Sequence, residues 1–252
     1  MRSFIHFMLL LFSLPLFGME ISPAEAEQIG RGIFFNECGG KKERLVWWNQ
    51  GENFASLGIG HFIWYPQDIQ GPYKETFPAL LAFFKEQEVE MPQWLQKQEG
   101  CPWKSKEELS QKERKKKRDL EDLLSLTTSL QAQFIAARFE DGVEKILSCL
   151  NEEKKKQILE QIARLEKTPE GKFALIDYLN FKGDGTVLTE RYKGKGWGLL
   201  QVLEEMPSNP HDPVRAFAQT AKSLLKARVE NAPFARNEER WLKGWIARVD
   251  RY

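Results

Sequence analysis

Glu37 closes an apolar run in FFNECGG (Phe34 to Gly40), and Glu52, Ser56 and the tetrapeptide Gly58-Ile59-Gly60-His61 follow it. Acid-catalysed cleavage of a glycosidic bond needs a carboxylic acid beside the leaving oxygen. It also needs a second group that positions water or stabilises the sugar cation. Glu37 is the candidate acid, with Glu52 and Ser56 as candidates for the second role. A glutamate at a helix end facing a small sheet sets such groups on opposite walls of one cleft. The C-terminal end of a helix dipole disfavours negative charge. Packing by Phe34, Phe35 and nearby tryptophans would further favour the neutral acid that a proton donor requires.

Two aromatic or glycine-rich stretches are candidate substrate walls. Trp47, Trp48, Trp64 and Tyr65 flank the glycine-containing segment, and aromatic faces stack on the apolar faces of sugar rings. The same residues serve equally as the cover of a small sheet. Further on, ERYKGKGWGLLQVL brings Glu190, Tyr192, Trp197 and Gln201 into one segment, read either as a substrate wall or as a connector into a helix.

Other chemistries lack their groups. The GDG at 183–185 has too few acids for a calcium loop. No phosphate-cradling glycine motif and no His/Cys cluster for zinc is present, so neither metal nor cofactor is expected. A net charge of +1 argues against a nucleic-acid partner. The basic run ERKKKR (Glu113 to Arg118) reads as a solvated helix face. Of the three cysteines, Cys101 and Cys149 are open to bridging in an exported protein, leaving Cys38 free.

The elements that must position these groups follow from pattern. Ser22-Pro23 followed by Glu25 and Glu27 starts a helix that stops near Gly39-Gly40. Leu45 to Tyr65 reads as short strands joined by turns at NQGEN and around Gly58 and Gly60. From Thr76 the chain is mostly helical, and KSKEELSQKERKKKRDLEDLLSL is charged and helical. The long irregular segment is Asn180 to Gly198. The fold class is mainly α with a small antiparallel β hairpin or sheet near the N-terminus.

Arg2 and the apolar FMLLLFSLPLF read as a signal peptide within residues 1–26, cut after Gly18 or Ala26. Residues 27–252 then form one domain, with a β-lobe at about 44–66 and a helical lobe at 73–252. The expected protein is exported, periplasmic or secreted, with no membrane span once the signal is removed.

The NE of Asn36-Glu37 followed by SLGIGH resembles the N-terminal signature of phage-type lysozymes, the endolysin muramidases. NAPFARNEERWLKGW, near the C-terminus, is similar to that family's closing helix; together the two segments cover about a third of the chain. The resemblance implies a lysozyme-like fold and a peptidoglycan or related polysaccharide partner. It implies Glu37 as general acid, Ser56 at the position of a catalytic threonine, and Arg236 and Glu238 on the far cleft wall. His61 would be structural, paired with an acid in the core. The family's aspartate falls on Gln50, which is not a base, so Glu52 is the substitute carboxylate. Without a base, the sugar's own hydroxyl closes an anhydro ring, as in a lytic transglycosylase. Gly198-Leu199-Leu200-Gln201 faintly resembles the Gly-Leu-X-Gln segment of soluble lytic transglycosylases. The expected function is thus a muramidase or lytic transglycosylase. The alternatives are a non-catalytic carbohydrate-binding envelope protein on the same scaffold, or a chitinase- or chitosanase-like glycosidase.

Overall fold

Ser22 opens the first helix with a reciprocal cap. Its hydroxyl accepts from the Glu25 amide, the Glu25 carboxylate accepts from the Ser22 amide, and Pro23 takes the first helical position. Helix α1 (Pro23–Cys38) stops at Gly39, which adopts the left-handed conformation at φ 60°. This stop leaves Glu37 in the last turn. The computed structural model describes residues 19–252, so the apolar leader of the expected signal peptide lies outside the described residues. The alternative cut after Ala26 falls inside α1, where Ala26 is buried.

Strands β1 (Val46–Trp47), β2 (Ala55–Leu57) and β3 (Phe62–Trp64) form an antiparallel sheet in that order. Ser56 stands opposite Trp47 on one side and Ile63 on the other, while Leu57 pairs with Phe62 and Ala55 with Trp64. Because side chains alternate across a strand, Ala55, Leu57, Phe62 and Trp64 share one face, and all four are buried. The Trp64 ring packs on Phe77 at 4.8 Å and Phe62 on Phe134 at 5.6 Å, which fastens the sheet to the helices.

The helices that follow are α2 (Phe77–Glu86), α3 (Gln93–Gln96), α4 (Lys106–Gln111), α5 (Arg114–Leu126), α6 (Thr128–Ser148), α7 (Glu152–Leu165), α8 (Pro169–Lys182), α9 (Leu199–Glu205), α10 (Pro213–Asn231) and α11 (Glu239–Val249). The protein is therefore mainly α with a small sheet near the N-terminus. Helix α8 runs through the middle, in contact with α1, α6, α7, α9 and α10. Its Ala174, Leu175, Ile176 and Tyr178 are all buried, as expected of a helix packed on several sides. Among the described residues no helix is long and apolar enough to cross a membrane.

The charged stretch from Lys104 to Leu126 is helical and divides into α4 and α5. Trp103 donates its indole N–H to the Lys112 carbonyl at 3.2 Å, which draws that group out of helical register. Glu113 then takes φ 52° before α5 begins. The basic run lies on α5 and is laced by acids: Lys115 pairs with Asp119, Lys116 with Glu113 and Lys117 with Glu121. No bridge joins Cys101 to Cys149. All three cysteines are free, Cys101 buried and Cys149 exposed at the end of α6.

The β2–β3 turn, which carries His61, is tied to the helices through a single amide. Gln131 on α6 is fully buried; its Oε1 accepts from the Ile59 amide at 2.9 Å. Its Nε2 donates to the Leu124 carbonyl at 2.7 Å and to Thr127 Oγ1 at 3.0 Å. Gly58 has φ 67°, and a β-carbon there would sit 2.3 Å from Gln131 Oε1. Both facts explain the glycine. Gln131→Leu leaves the Ile59 amide and the Leu124 carbonyl without partners. It is expected to cost about 2–4 kcal/mol of stability, measured by urea unfolding.

Candidate functional site

Asp177, in the penultimate turn of α8, is fully buried and accepts four hydrogen bonds or ion-paired contacts. Arg248 of α11 grips it with Nε to Oδ2 at 2.8 Å and Nη2 to Oδ1 at 2.7 Å. Tyr252 donates its hydroxyl to Oδ2 at 2.7 Å, and Asn36 donates its amide to Oδ1 at 3.2 Å. The same Nη2 of Arg248 also donates to Glu37 Oε1 at 2.7 Å. One guanidinium thus joins the end of α1 to α8. Burial opposes the arginine's charge, but Asp177, and then Glu37, raise its pKa well above the ordinary value. Burial and the Asp177 charge likewise push the Tyr252 hydroxyl up.

Glu37 has a side chain 14% exposed, and its two oxygens differ. Oε1 takes Arg248 and, at 3.4 Å, the Asn180 amide of α8. Among the described residues the polar partner of Oε2 is His61 alone, whose Nδ1 lies 3.4 Å away across the β2–β3 turn. The neighbours are polar, not the phenylalanines and tryptophans expected to bury it. Phe35 is half exposed, with the Arg251 guanidinium 4.8 Å from its ring. His61 lies beside the candidate acid itself, not against a separate acid in the core.

A chain of cations and rings leads away from Glu37. The Arg248 guanidinium lies 4.1 Å from the Phe181 ring centre, and Lys182 Nζ lies 3.9 Å from that ring and 3.5 Å from Trp245. Arg228 of α10 then stands 4.9 Å from Trp245 and 4.0 Å from Trp197. Of these groups Phe181, Lys182, Arg228 and Trp197 border a cavity of about 360 Å³, lined also by Glu190, Tyr192, Thr189 and Arg236. Glu238 is buried behind it and accepts from Arg228 at 2.7 and 3.0 Å and from Tyr192 at 2.8 Å. Burial alone would raise the Glu238 carboxyl, but those hydrogen bonds hold it below the usual range. Burial, reinforced by Arg228 and Arg248, drops the Lys182 ammonium to about 6.

The candidates chosen from sequence fall into three groups. Glu190, Tyr192, Trp197 and Arg236 meet at the cavity, with Glu238 behind it holding the Tyr192 hydroxyl. Gln201 is buried and works on backbone: it accepts from the Gly198 amide and donates to the Gly185 carbonyl, which shapes the 183–198 loop. The third group sits at the sheet. Glu52 accepts from Asn49 at 3.0 Å within its own turn and makes no hydrogen bond or ion pair with Glu37. Gln50 is exposed in that turn. Ser56 is buried in β2 and makes no hydrogen bond with Glu37. Trp48 is buried, with its indole on the Glu52 carbonyl. Trp64 and Tyr65 are buried too, so these three rings offer no open face to a sugar.

Asp177, Asn180, Lys182, Arg228, Trp245 and Arg248 are absent from the sequence candidates. Asp177 carried a signal: it is an acid flanked by Ile176 and Tyr178 in a helix that is apolar on several sides. Lysine and arginine are too numerous for the others to stand out. No group of acids, histidines and cysteines among the described residues is arranged to hold a metal ion. Comparison with protein-family models, curated proteins and solved structures finds no match to this chain.

Asp177→Asn strands the buried Arg248 charge and is expected to cost about 3–5 kcal/mol in urea unfolding, more than Glu37→Gln, whose amide oxygen still accepts from Arg248. A second expectation concerns pH. In the unfolded chain Lys182 keeps its proton up to the ordinary lysine range of about 10.4, whereas in the fold it releases it near 6. The unfolded state therefore binds more protons between these limits, and this lysine's contribution to stability rises with pH across them. Lys182→Met should flatten that part of the stability–pH curve.

Proposed function

We propose that the protein is an exported enzyme that cleaves the β-1,4 glycan of peptidoglycan, with Glu37 as its general acid. The observation that carries this reading is the asymmetry of the Glu37 carboxylate. Arg248 and Asn180 occupy Oε1, while among the described residues Oε2 meets only His61 and is the oxygen left to carry a proton to a substrate. That proton passes to the bridging oxygen between two sugars. The carbon–oxygen bond breaks with its electron pair leaving on the departing sugar, and a positive anomeric centre remains.

Two captures of that centre are chemically open. Water gives a reducing end, as in a muramidase; the sugar's own hydroxyl gives an anhydro ring, as in a lytic transglycosylase. Either way the proton released on capture returns to Glu37. Glu52 is engaged by Asn49 in its own turn and Gln50 is no base, which favours internal capture. The resemblance of the Glu37 and Gly58-to-His61 segments to phage-type lysozymes supports the same substrate class.

Purified peptidoglycan, chitin and chitosan assayed side by side test the proposal. Peptidoglycan is expected to be cut into fragments that are lighter by one water than hydrolysis products, as read by mass. Glu37→Gln is expected to lose at least about 100-fold in rate while keeping its fold by circular dichroism. Unchanged cleavage in that variant would remove Glu37 from the chemistry. Glycan that binds but is never cut would assign the protein to the carbohydrate-binding class, and cleavage of chitin or chitosan alone would move the substrate.

A further inference from the structure

Three basic side chains line the cavity bounded by α8, the 183–198 loop and the α10–α11 connection, and among the described residues an acid is hydrogen-bonded to only one of them. Arg228 is matched by Glu238, which accepts two of its N–H groups. Lys182 and Arg236 are not matched: neither side chain makes a hydrogen bond or an ion pair among the described residues. Lys182 Nζ instead lies between the rings of Phe181 and Trp245, with Arg228 and Arg248 as cationic neighbours. A partly desolvated lysine without a carboxylate gives up its proton readily, and a carboxylate bound beside it draws that proton back and pairs with the ammonium so formed.

The rest of the lining suits a sugar. Tyr192 and Trp197 present ring centres 4.7 Å apart on one wall, Thr189 adds a hydroxyl, and the volume of about 360 Å³ matches a small ligand group. Glu190 stands on the same wall, so the anion accommodated is a single carboxylate rather than a doubly charged phosphate. We propose that this cavity is a carboxylate subsite for an acidic substituent carried on a sugar ring, with Lys182 and Arg236 as its charge partners. The subsite rests on the glycan reading given above, and it is joined to Glu37 through the Phe181 ring that Lys182 and Arg248 share.

The test uses the full chain carrying Glu37→Gln, so that ligands are bound and not cut. Intrinsic fluorescence reports on Trp197 and Trp245. Two probes are compared: the disaccharide of N-acetylglucosamine and N-acetylmuramic acid, and di-N-acetylchitobiose, which lacks the lactyl carboxylate. The acidic disaccharide is expected to bind about tenfold more tightly. Adding Lys182→Met, which keeps an apolar side chain against the two rings, or Arg236→Gln, at an exposed position, should erase that difference and leave chitobiose binding unchanged. Equal binding of both probes by the parent overturns the subsite while the glycan reading stands. Failure of both disaccharides and of peptidoglycan to bind overturns the two together. Retention of the difference in both variants overturns the assignment of these residues.

Discussion

The buried pairing of Asp177 with Arg248 is the interaction on which the rest of the site depends. A carboxylate in the middle of a packed helix is tolerated only when its lone pairs are taken. Arg248, Tyr252 and Asn36 take them. The guanidinium that neutralises Asp177 is fixed in turn, and its remaining reach falls on one oxygen of Glu37. The fork geometry of arginine makes this double engagement possible, whereas the compact ammonium of lysine would not reproduce it. The orientation of the candidate acid is thus set by a residue in the core that no substrate would touch.

From that pair the charge is relayed outward by alternation. Arg248, Phe181, Lys182, Trp245, Arg228 and Trp197 follow one another as cation, ring, cation, ring, cation, ring. Phe181 and Trp245 each lie against two like charges and offer both an electron-rich face, while Trp197 ends the series against Arg228 alone. Glu238 closes the outer end by taking Arg228 and Tyr192. Lys182 has no such acid, and it is the member whose proton is held least firmly.

The parts of this arrangement set by local rules were legible in the sequence. Ser22, Pro23 and Glu25 mark where α1 starts and Gly39 where it stops, which places Glu37 in the last turn. Gly58 and the alternation of Ala55, Leu57, Phe62 and Trp64 mark the hairpin. The partners of Glu37 were not legible, because Asp177 and Arg248 meet across 71 residues of chain and nothing near either announces the other. The tryptophans show the same limit from the other side. Trp48 and Trp64 carry a residue type suited to sugars, and only packing against Glu52 and Phe77 shows that their faces are spent. The break between α4 and α5 was hidden for a similar reason: it depends on the indole of Trp103 reaching Lys112.

The bond between Arg248 and Glu37 spans 211 residues. A contact of such long range is paid for in chain entropy before it returns anything, and it forms late in folding. Until α11 docks, α1 and the hairpin can assemble around Gln131, but Glu37 has no arginine to hold it and Asp177 has no counter-charge. The setting of Glu37 is therefore a property of the fold with α11 in place. An intermediate in which α11 has not yet docked carries Glu37 without the arginine that orients it.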